Sequence, residues 1–247
     1  MREDRERKLQ ALGEYALFLD LDDTLYDRSE PFKKAFLGRF PEAAELAAAA
    51  YWACEKRGNE VFLPSQRGEI SMEEMYIYRY QRGLADVQIS ISPQGALEFQ
   101  ETYREYQREI TLASGIPKLL DFGKKYCRTV GVITNGPAEK QRGKLKTLGL
   151  ERWISDEMIL ISGEVKIDKP DPAIFQMARD RANTEDRNMI FVGDSYANDI
   201  CPARELGWKT IFLNRRGKES GENCFEADLV LGQEELLTEE HLLLLMK

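Results

Sequence analysis

FLDLDDTL, residues 18–25, is the stretch from which the fold of this chain can be worked out. Apolar residues run from Tyr15 to Leu19 and stop at the carboxylate of Asp20, and a second carboxylate, Asp22, follows two positions later. The apolar run predicts a buried strand of a parallel sheet. Both acids then lie at the carboxyl end of that strand, where open α/β sheets bind their ligands. Because neighbouring carboxylates repel each other, we expect a cation or a proton transfer to make use of them.

Further short apolar runs predict the other strands, and helical patterns lie between them. This alternation predicts an α/β fold, a Rossmann-like doubly wound parallel sheet. Asp171 followed by a proline is typical of a helix start, and Gly207 is typical of a helix end. The predicted strands are Thr129–Thr134, Met158–Ser162, Met189–Gly193 and Thr210–Leu213, with Asp228–Leu231 at the edge; the predicted helices are Pro137–Leu148, Ala173–Ala182 and Tyr196–Leu206.

A long insertion interrupts this alternation directly after the first strand. It has few strand-like runs, and it contains the alanine-rich segment Glu42–Trp52 and the segment Glu98–Ile110, where aromatic residues recur at helical spacing. Such an aromatic stripe usually packs a helix against its neighbours, so it does not indicate a cofactor. We expect a helical cap domain over 28–112 and an α/β core domain made of residues 1–27 and 113–247.

The amino-acid composition of the chain disfavours some classes of binding partner. The chain has 247 residues and a formal net charge of −8, which disfavours binding of a nucleic acid polymer through its phosphates. The charged start, Met1–Lys8, predicts a solvated extension, and the apolar run Leu242–Met246 is too short to span a membrane. Four scattered cysteines without a CxxC pattern favour small apolar roles in a reducing cytosol, so we expect a cytoplasmic protein. The sequence leaves the oligomeric state open.

Polar side chains also follow the other predicted strands. Thr134 and Asn135 end the second core strand, and Asp194 ends the fourth, with Asp199 five residues further on. Lys169 lies between them, ahead of a helix. Because all strands of a parallel sheet end at one edge, we expect these groups to meet there.

Each of these signals has a plainer interpretation when it is taken alone. Asp23 or Thr24 could cap a helix after the first strand, and Asp194 or Asp199 could do so after the fourth. Lys169 could be a solvated loop charge, and an Asn-Gly pair is a common turn. Their ordered recurrence at successive strand ends favours a shared site.

In chain order the four sites read DLDDT, ITN, DKPDP and GDSYAND, and with them the whole chain resembles the haloacid dehalogenase superfamily of phosphohydrolases. The insertion stands where that superfamily carries its helical cap. The stretch ILISGEV at 159–165, followed by Lys169, is similar to the branch of small-molecule phosphatases that includes pyrimidine 5'-nucleotidases and acylneuraminate-9-phosphatases.

The resemblance implies a role for each candidate residue. Asp20 would be the nucleophile that forms an aspartyl-phosphate. Asp22 would protonate the leaving alcohol and then deprotonate the attacking water. Thr134 and Asn135 would donate hydrogen bonds to the phosphate, and Lys169 would neutralise charge on the phosphate and on the nucleophile.

The resemblance also implies a magnesium ion. Mg²⁺ would bind through the carboxylate of Asp20, the backbone carbonyl of Asp22 and the carboxylate of Asp194. A hard cation with oxygen ligands suits such a site. Asp199 would assist from outside the ligand set or orient Lys169.

Together these observations predict a Mg²⁺-dependent phosphatase that acts on a small phosphorylated metabolite, such as a nucleoside monophosphate or a sugar phosphate. The acid at Asp22 favours phosphatases over the dehalogenases of the superfamily, which do not need it. Two alternatives stay open, namely a phosphomutase with the same aspartyl-phosphate and a non-catalytic binding or regulatory protein on this fold. Phosphate release from a panel of monoesters separates them.

Overall fold

The computed structural model describes residues 2–215, 226–232 and 235–246. The chain divides into two compact units. The first contains Met1–Asp27 and Thr111–Lys247, and the second is the inserted segment Arg28–Ile110. The interpretation of the inserted unit as a helical cap domain over 28–112 stays a prediction.

The first unit contains a single six-stranded sheet within the described part of the chain, and every neighbouring pair of strands is parallel. The spatial order is β3-β2-β1-β4-β5-β6, so the chain builds outward in one direction and then in the other. This confirms the doubly wound α/β fold. The strands are β1 Ala16–Leu19, β2 Thr129–Thr134, β3 Ile159–Ile161, β4 Met189–Gly193, β5 Lys209–Leu213 and β6 Leu229–Leu231.

The described residues form eleven α-helices, which we number along the chain. Short 3₁₀ turns occur at Pro41–Leu46, Leu150–Arg152, Asp156–Met158 and Asp186–Asn188, and a π turn occurs at Tyr196–Ile200. Among the described residues, none of the helices is long and apolar enough to cross a bilayer. The helices are α1 Arg2–Leu12, α2 Ser29–Arg39, α3 Ala47–Gln66, α4 Met72–Ala85, α5 Pro93–Gln107, α6 Ile116–Tyr126, α7 Ala138–Thr147, α8 Ser162–Val165, α9 Pro172–Ala182, α10 Cys201–Glu205 and α11 Glu239–Leu244.

The central strand β1 is buried along its whole length, as a strand with helices on both sides requires. Its Phe18 lies opposite Gly131 of β2. A Cβ atom at position 131 would come within 2.2 Å of the Phe18 ring, so the missing side chain makes room for the aromatic one. The predicted helix start at Asp171 is confirmed, because its carboxylate accepts a hydrogen bond from the N–H of Ala173 at 2.9 Å.

Two local expectations need correction. The charged start of the chain is helix α1, because α1 packs against α6 and α11 and buries Leu12 completely, but residues 3–7 are exposed to solvent as expected. The helix expected over Tyr196–Leu206 is a π turn followed by the short helix α10. Ile200 donates its N–H to the carbonyl of Ser195, five residues back, at 3.2 Å, and Pro202 has no N–H with which to continue a regular ladder.

The cysteines follow the sequence expectation only in part. Cys54 and Cys127 are free, and burial raises the pKa of each thiol to about 12, as expected for small apolar residues. Cys201 is disulfide-bonded, so the expectation of a reduced thiol is wrong at this position. Cys224 lies outside the described residues.

The second unit is a helical bundle built around an aromatic core. Phe32 of α2 lies at its centre, with ring centroids 5.5 Å from Tyr51 and 5.2 Å from Phe99. Tyr80 adds a polar contact inside this core, because its hydroxyl donates to the side chain of Gln100 at 2.6 Å. The aromatic stripe predicted within Glu98–Ile110 therefore packs the bundle, as the spacing indicated.

Helices α3 and α4 approach closely at one glycine. A Cβ atom at Gly83 would lie 2.5 Å from the Cα of Cys54, a backbone atom that cannot move aside cheaply. A Cβ at Gly38 in α2 would meet no neighbouring atom within 4 Å.

We predict opposite effects for alanine at these two glycines. Gly83→Ala should lower the free energy of unfolding by about 1–3 kcal/mol, since the added methyl group forces the helices apart. Gly38→Ala, the matched control, should raise it by about 0.5–1 kcal/mol through helix propensity alone. Urea denaturation of both variants measures the difference. Equal stabilisation by the two alanines would contradict the close approach of α3 and α4.

Candidate active site

The candidate site of the first unit lies where the order of the strands reverses. β1 and β4 are neighbours at the middle of the sheet, and the chain leaves them in opposite directions. Asp20 follows β1 directly, and its N–H donates to the carbonyl of Val192 in β4 at 2.9 Å. Asp194 directly follows the last residue of β4, as Asp20 does for β1. Open α/β sheets bind ligands in the crevice that such a reversal creates.

Lys169 joins two of the predicted acids. Its Nζ lies 2.7 Å from Oδ1 of Asp20 and 2.6 Å from Oδ1 of Asp199, and all three residues are buried. Burial opposes the charge on Lys169, but the carboxylates of Asp199 and Asp20 outweigh it and raise the lysine pKa above its usual value. Lys169 is therefore a paired ammonium inside the protein, which excludes the solvated loop charge.

Asp199 is held in place from two sides. Its Oδ1 accepts from Lys169, and its Oδ2 accepts from the backbone N–H of Ser195 at 3.0 Å. Gly193 makes this possible, since a Cβ there would lie 2.4 Å from Oδ2 of Asp199. The side chain that caps the π turn is that of Ser195, which accepts from the N–H of Asn198, so Asp199 does not serve as the cap.

Three carboxylates can converge on one point beside this lysine. Asp20, Asp194 and Asp199 each offer an oxygen, and these atoms lie within 4.8 Å of one another. Burial raises the pKa of Asp20 to about 8; Lys169 counteracts this, and the charges of Asp199, Asp194 and Asp22 add to it. A divalent cation would offset the excess of negative charge and keep Asp20 ionised.

The donor set therefore fits Mg²⁺, a hard cation that prefers carboxylate and carbonyl oxygens. Of the predicted carboxylate ligands, Asp20 and Asp194 belong to the cluster. Asp199 also belongs to it, but its two oxygens already accept hydrogen bonds from Lys169 and Ser195. That arrangement suits the supporting role expected for Asp199, and the ligand set itself stays a prediction.

Asn135 is tied to the backbone of Lys169. Its Nδ2 donates to the Lys169 carbonyl at 2.8 Å, and its Oδ1 accepts from the Lys169 N–H at the same distance. This reciprocal pair fixes the loop that carries Lys169. The peptide bond between Lys169 and Pro170 in this loop is cis. The side chain expected to bind phosphate is thus engaged within the protein, a role that the sequence did not indicate.

Asp22 is surrounded by donors that the motifs did not include. Lys144 places its Nζ 2.6 Å from Oδ1 and 2.7 Å from Oδ2 of Asp22. Gln141 donates from Nε2 to Oδ2 at 2.9 Å, and the Tyr26 hydroxyl donates to Oδ1. Nε2 of Gln141 also reaches Oγ1 of Thr134 at 2.6 Å. Gln141 and Lys144 stand three residues apart on α7, a spacing that puts both on one face of a helix and was the available signal.

The capping interpretation of the first motif is excluded. The next helix, α2, begins only at Ser29, and neither Asp23 nor Thr24 precedes it directly. Asp23 has a φ of 64°, a left-handed conformation that turns the chain sharply after Asp22. Oγ1 of Thr24 is buried and has no hydrogen-bond partner among the described residues.

Comparison with known proteins gives a consistent family match. A model described as haloacid dehalogenase-like hydrolase matches residues 16–207, which include every candidate site residue. The chain is 24% identical over 218 residues to the N-acylneuraminate-9-phosphatase of Mus musculus, covering 82% of this chain and 84% of that one. It is 34% identical over 94 residues to a pyrimidine 5'-nucleotidase of Escherichia coli, covering 38% and 41%. A phosphoserine phosphatase of Thermus thermophilus is 32% identical over 124 residues, and the match spans only about half of that protein, 49%.

The fold has close counterparts among solved structures. A magnesium-bound hydrolase of the haloacid dehalogenase type from Bacillus subtilis superposes with a TM-score of 0.62 at 18% identity, covering 89% of this chain and 94% of that one. At this level of identity the likeness supports the fold.

We predict that Asn135→Asp destabilises the protein although it keeps the shape of the side chain. The change replaces the Nδ2 donor with an oxygen that faces the Lys169 carbonyl, so the loop loses one hydrogen bond and gains a repulsion. The free energy of unfolding should fall by about 1–3 kcal/mol in urea denaturation. The same change at Asn59, an exposed position in the middle of α3, is the control and should have little effect. A fully stable Asn135→Asp variant would show that the reciprocal pair does not hold the loop.

Proposed function

This chain belongs to the haloacid dehalogenase-like hydrolases, and we propose that it is a Mg²⁺-dependent phosphatase that hydrolyses a small phosphate monoester through an aspartyl-phosphate. The observation that carries the proposal is the buried ammonium of Lys169 between Asp20 and Asp199. A phosphate monoester and a carboxylate nucleophile are both anionic, so they approach each other only where positive charge is supplied in advance. The second acid, Asp22, favours phosphoryl transfer over dehalogenation, since the leaving alcohol needs a proton.

In the proposed first step, a carboxylate oxygen of Asp20 bonds to phosphorus while the bond from phosphorus to the alcohol oxygen breaks. Asp22, once it is protonated and released from its ion pair with Lys144, gives its proton to that oxygen. Lys169 keeps its contact with Asp20 and stabilises the negative charge around the phosphoryl group. A bound Mg²⁺ would supply further charge neutralisation at this point.

In the second step, a water molecule adds to phosphorus and gives a proton to Asp22, and the bond between Asp20 and phosphorus breaks. Inorganic phosphate leaves, and both carboxyl groups return to their starting states. Thr134 would hold a phosphate oxygen through both steps. Asp199 would keep Lys169 directed at Asp20, since it occupies the other side of the ammonium.

The proposed substrate is a small phosphorylated metabolite, with nucleoside monophosphates and sugar phosphates as the first classes to test. The support comes from the names of the relatives, which act on acylneuraminate 9-phosphate and on pyrimidine nucleotides. An acidic chain with a net charge of −8 also disfavours a nucleic acid polymer as substrate.

We predict that phosphate release depends on Mg²⁺. The purified protein should release inorganic phosphate from members of a panel of nucleotides and sugar phosphates. EDTA should abolish the release and added Mg²⁺ should restore it, because the carboxylate cluster needs a cation to offset its charge. The control is the same panel without protein at equal Mg²⁺ concentration. Full activity after removal of all metal would refute the metal dependence. Turnover that yields an isomeric phosphate ester instead of free phosphate would indicate a phosphomutase.

We predict that Asp20→Asn folds and loses turnover by at least about a thousandfold. Asparagine has nearly the same shape but is a poor nucleophile, and Lys169 keeps its second carboxylate, Asp199. Asp180→Asn makes the same chemical change at an exposed position of α9, outside the four motifs, and should retain activity. Phosphate release at saturating substrate measures the loss, and denaturation curves verify folding. Substantial activity in Asp20→Asn would contradict the assignment of Asp20 as the nucleophile.

A further inference from the structure

The Lys169 ammonium has an aromatic neighbour in addition to its two carboxylates. Its Nζ lies over the ring of Phe191, 5.4 Å from the centre of that ring. The Lys169 side chain is 3% exposed, and Phe191 is completely buried within β4. The face of an aromatic ring attracts a cation electrostatically, and the attraction is stronger where water is excluded from the contact. The ring is therefore a further source of attraction for this buried charge.

The geometry of β4 explains why the ring and a carboxylate meet at the same ammonium. Alternate residues of a strand lie on the same face of a sheet, so Phe191 and Gly193 share one face of β4. A Cβ at Gly193 would meet the carboxylate of Asp199, which accepts from Nζ of Lys169 at 2.6 Å. This face of the strand thus lies beneath both the Asp199 carboxylate and the lysine.

The Phe191 ring is held in place by other aromatic side chains. Its centroid lies 5.3 Å from that of Phe175 in α9 and 6.3 Å from that of Trp208. Phe175 and Trp208 are also completely buried, with their centroids 5.5 Å apart. Among the described residues, the Lys169 ammonium lies over the ring of Phe191 and over neither of these two neighbours. Phe175 is therefore a ring of the same cluster that lacks the contact with the cation.

The proposed mechanism changes one partner of the ammonium during the reaction. Asp20 is a carboxylate before the first step and an acyl phosphate after it, so its own negative charge is lost until the second step restores it. Lysine carries its charge at the end of a flexible stem of four carbons. The attraction to the Phe191 ring does not depend on the state of Asp20, because the ring takes no part in the reaction. It can therefore hold the ammonium throughout both steps.

We propose that Phe191 is a positioning residue that keeps the Lys169 ammonium in place while Asp20 is phosphorylated and then released. This inference rests on the proposed phosphatase function. Phe191 does not touch the reacting atoms and acts through Lys169. Its ring keeps the positive charge where the phosphoryl group needs it, so that little reorganisation is required at the moment of reaction. Position 191 lies outside the four sequence motifs, the last of which begins at Gly193.

The first experiment compares leucine at two buried rings of the cluster. Phe191→Leu keeps an apolar side chain but removes the ring face, and kcat for phosphate release at saturating Mg²⁺ should fall about tenfold. Phe175→Leu is the matched control, because it removes a neighbouring ring that does not contact the cation. Its kcat should stay near that of wild type. Urea denaturation of both variants verifies that they fold and measures how far each is destabilised.

The second experiment changes the charge of the ring and leaves its shape nearly unaltered. Mono-, di- and trifluorinated phenylalanine can be inserted at position 191 by suppression of an amber codon. Each fluorine withdraws electron density from the ring face and weakens its attraction for a cation. The kcat should therefore fall stepwise with the number of fluorines. The same series at position 175 should leave kcat unchanged. These variants also replace Phe191→Leu should that variant fold poorly.

The outcomes distinguish a positioning role from a purely structural one. A constant kcat across the fluorinated series at position 191, or equal losses at positions 191 and 175, would overturn the positioning role and leave the phosphatase function intact. A wild-type protein that releases no phosphate from any ester of the panel would overturn the proposed function and this inference with it. The wild-type measurement therefore separates the two failures.

Discussion

The buried ion pair network at Lys169 is the constraint on which the rest of the site depends. An ammonium inside a protein requires partners, and Asp20 and Asp199 supply them from the ends of β1 and of the turn after β4. Breaking such a network by removing one partner typically costs about 3–5 kcal/mol, so the three residues are held together by the cost of separating them. The missing side chain at Gly193 leaves room for the Asp199 carboxylate, and the π turn carries Asp199. Asn135 holds the loop from which Lys169 comes. Local irregularities around the site thus share one cause.

The parallel sheet explains why residues so distant in sequence meet. Asp20 follows β1 and Asp199 lies in the turn after β4, and the order β3-β2-β1-β4-β5-β6 places the ends of these two strands side by side. Lys169, 149 positions after Asp20, comes from the connection between β3 and β4. Hydrogen bonds between parallel strands fix their ends relative to each other, and the apolar strands behind them are fully buried. The polar groups therefore sit on a rigid base. The charges of these groups are in place before a substrate binds, which suits a reaction in which two anions have to approach each other.

Much of this could be predicted from sequence because strands and their ends leave a strong local signal. The bounds of β2 and β4 agree with the apolar runs that predicted them, and the acids after β1 and β4 stand where the parallel topology requires. Side-chain partners leave a weaker signal. Nothing in the sequence around Asn135 indicates that its amide binds the backbone of Lys169 in another loop. From the sequence, Gln141 and Lys144 look like ordinary polar residues of an exposed helix. Only the structure shows that both donate hydrogen bonds to Asp22. The helix at the start of the chain is decided by tertiary contacts, which local charge patterns do not contain.

The amide of Gln141 also has a directional effect on its second partner. Because Nε2 donates to Oγ1 of Thr134, one lone pair of that oxygen is occupied, and the threonine hydroxyl hydrogen cannot point back toward the glutamine. The hydroxyl is left to donate elsewhere, and a donor that already accepts a hydrogen bond is polarised and donates more strongly. A buried amide on α7 therefore limits the directions in which the Thr134 hydroxyl can donate, and it does so with the same nitrogen that reaches Asp22. One side chain links the orientation of an acid to the direction in which a neighbouring alcohol can offer its proton.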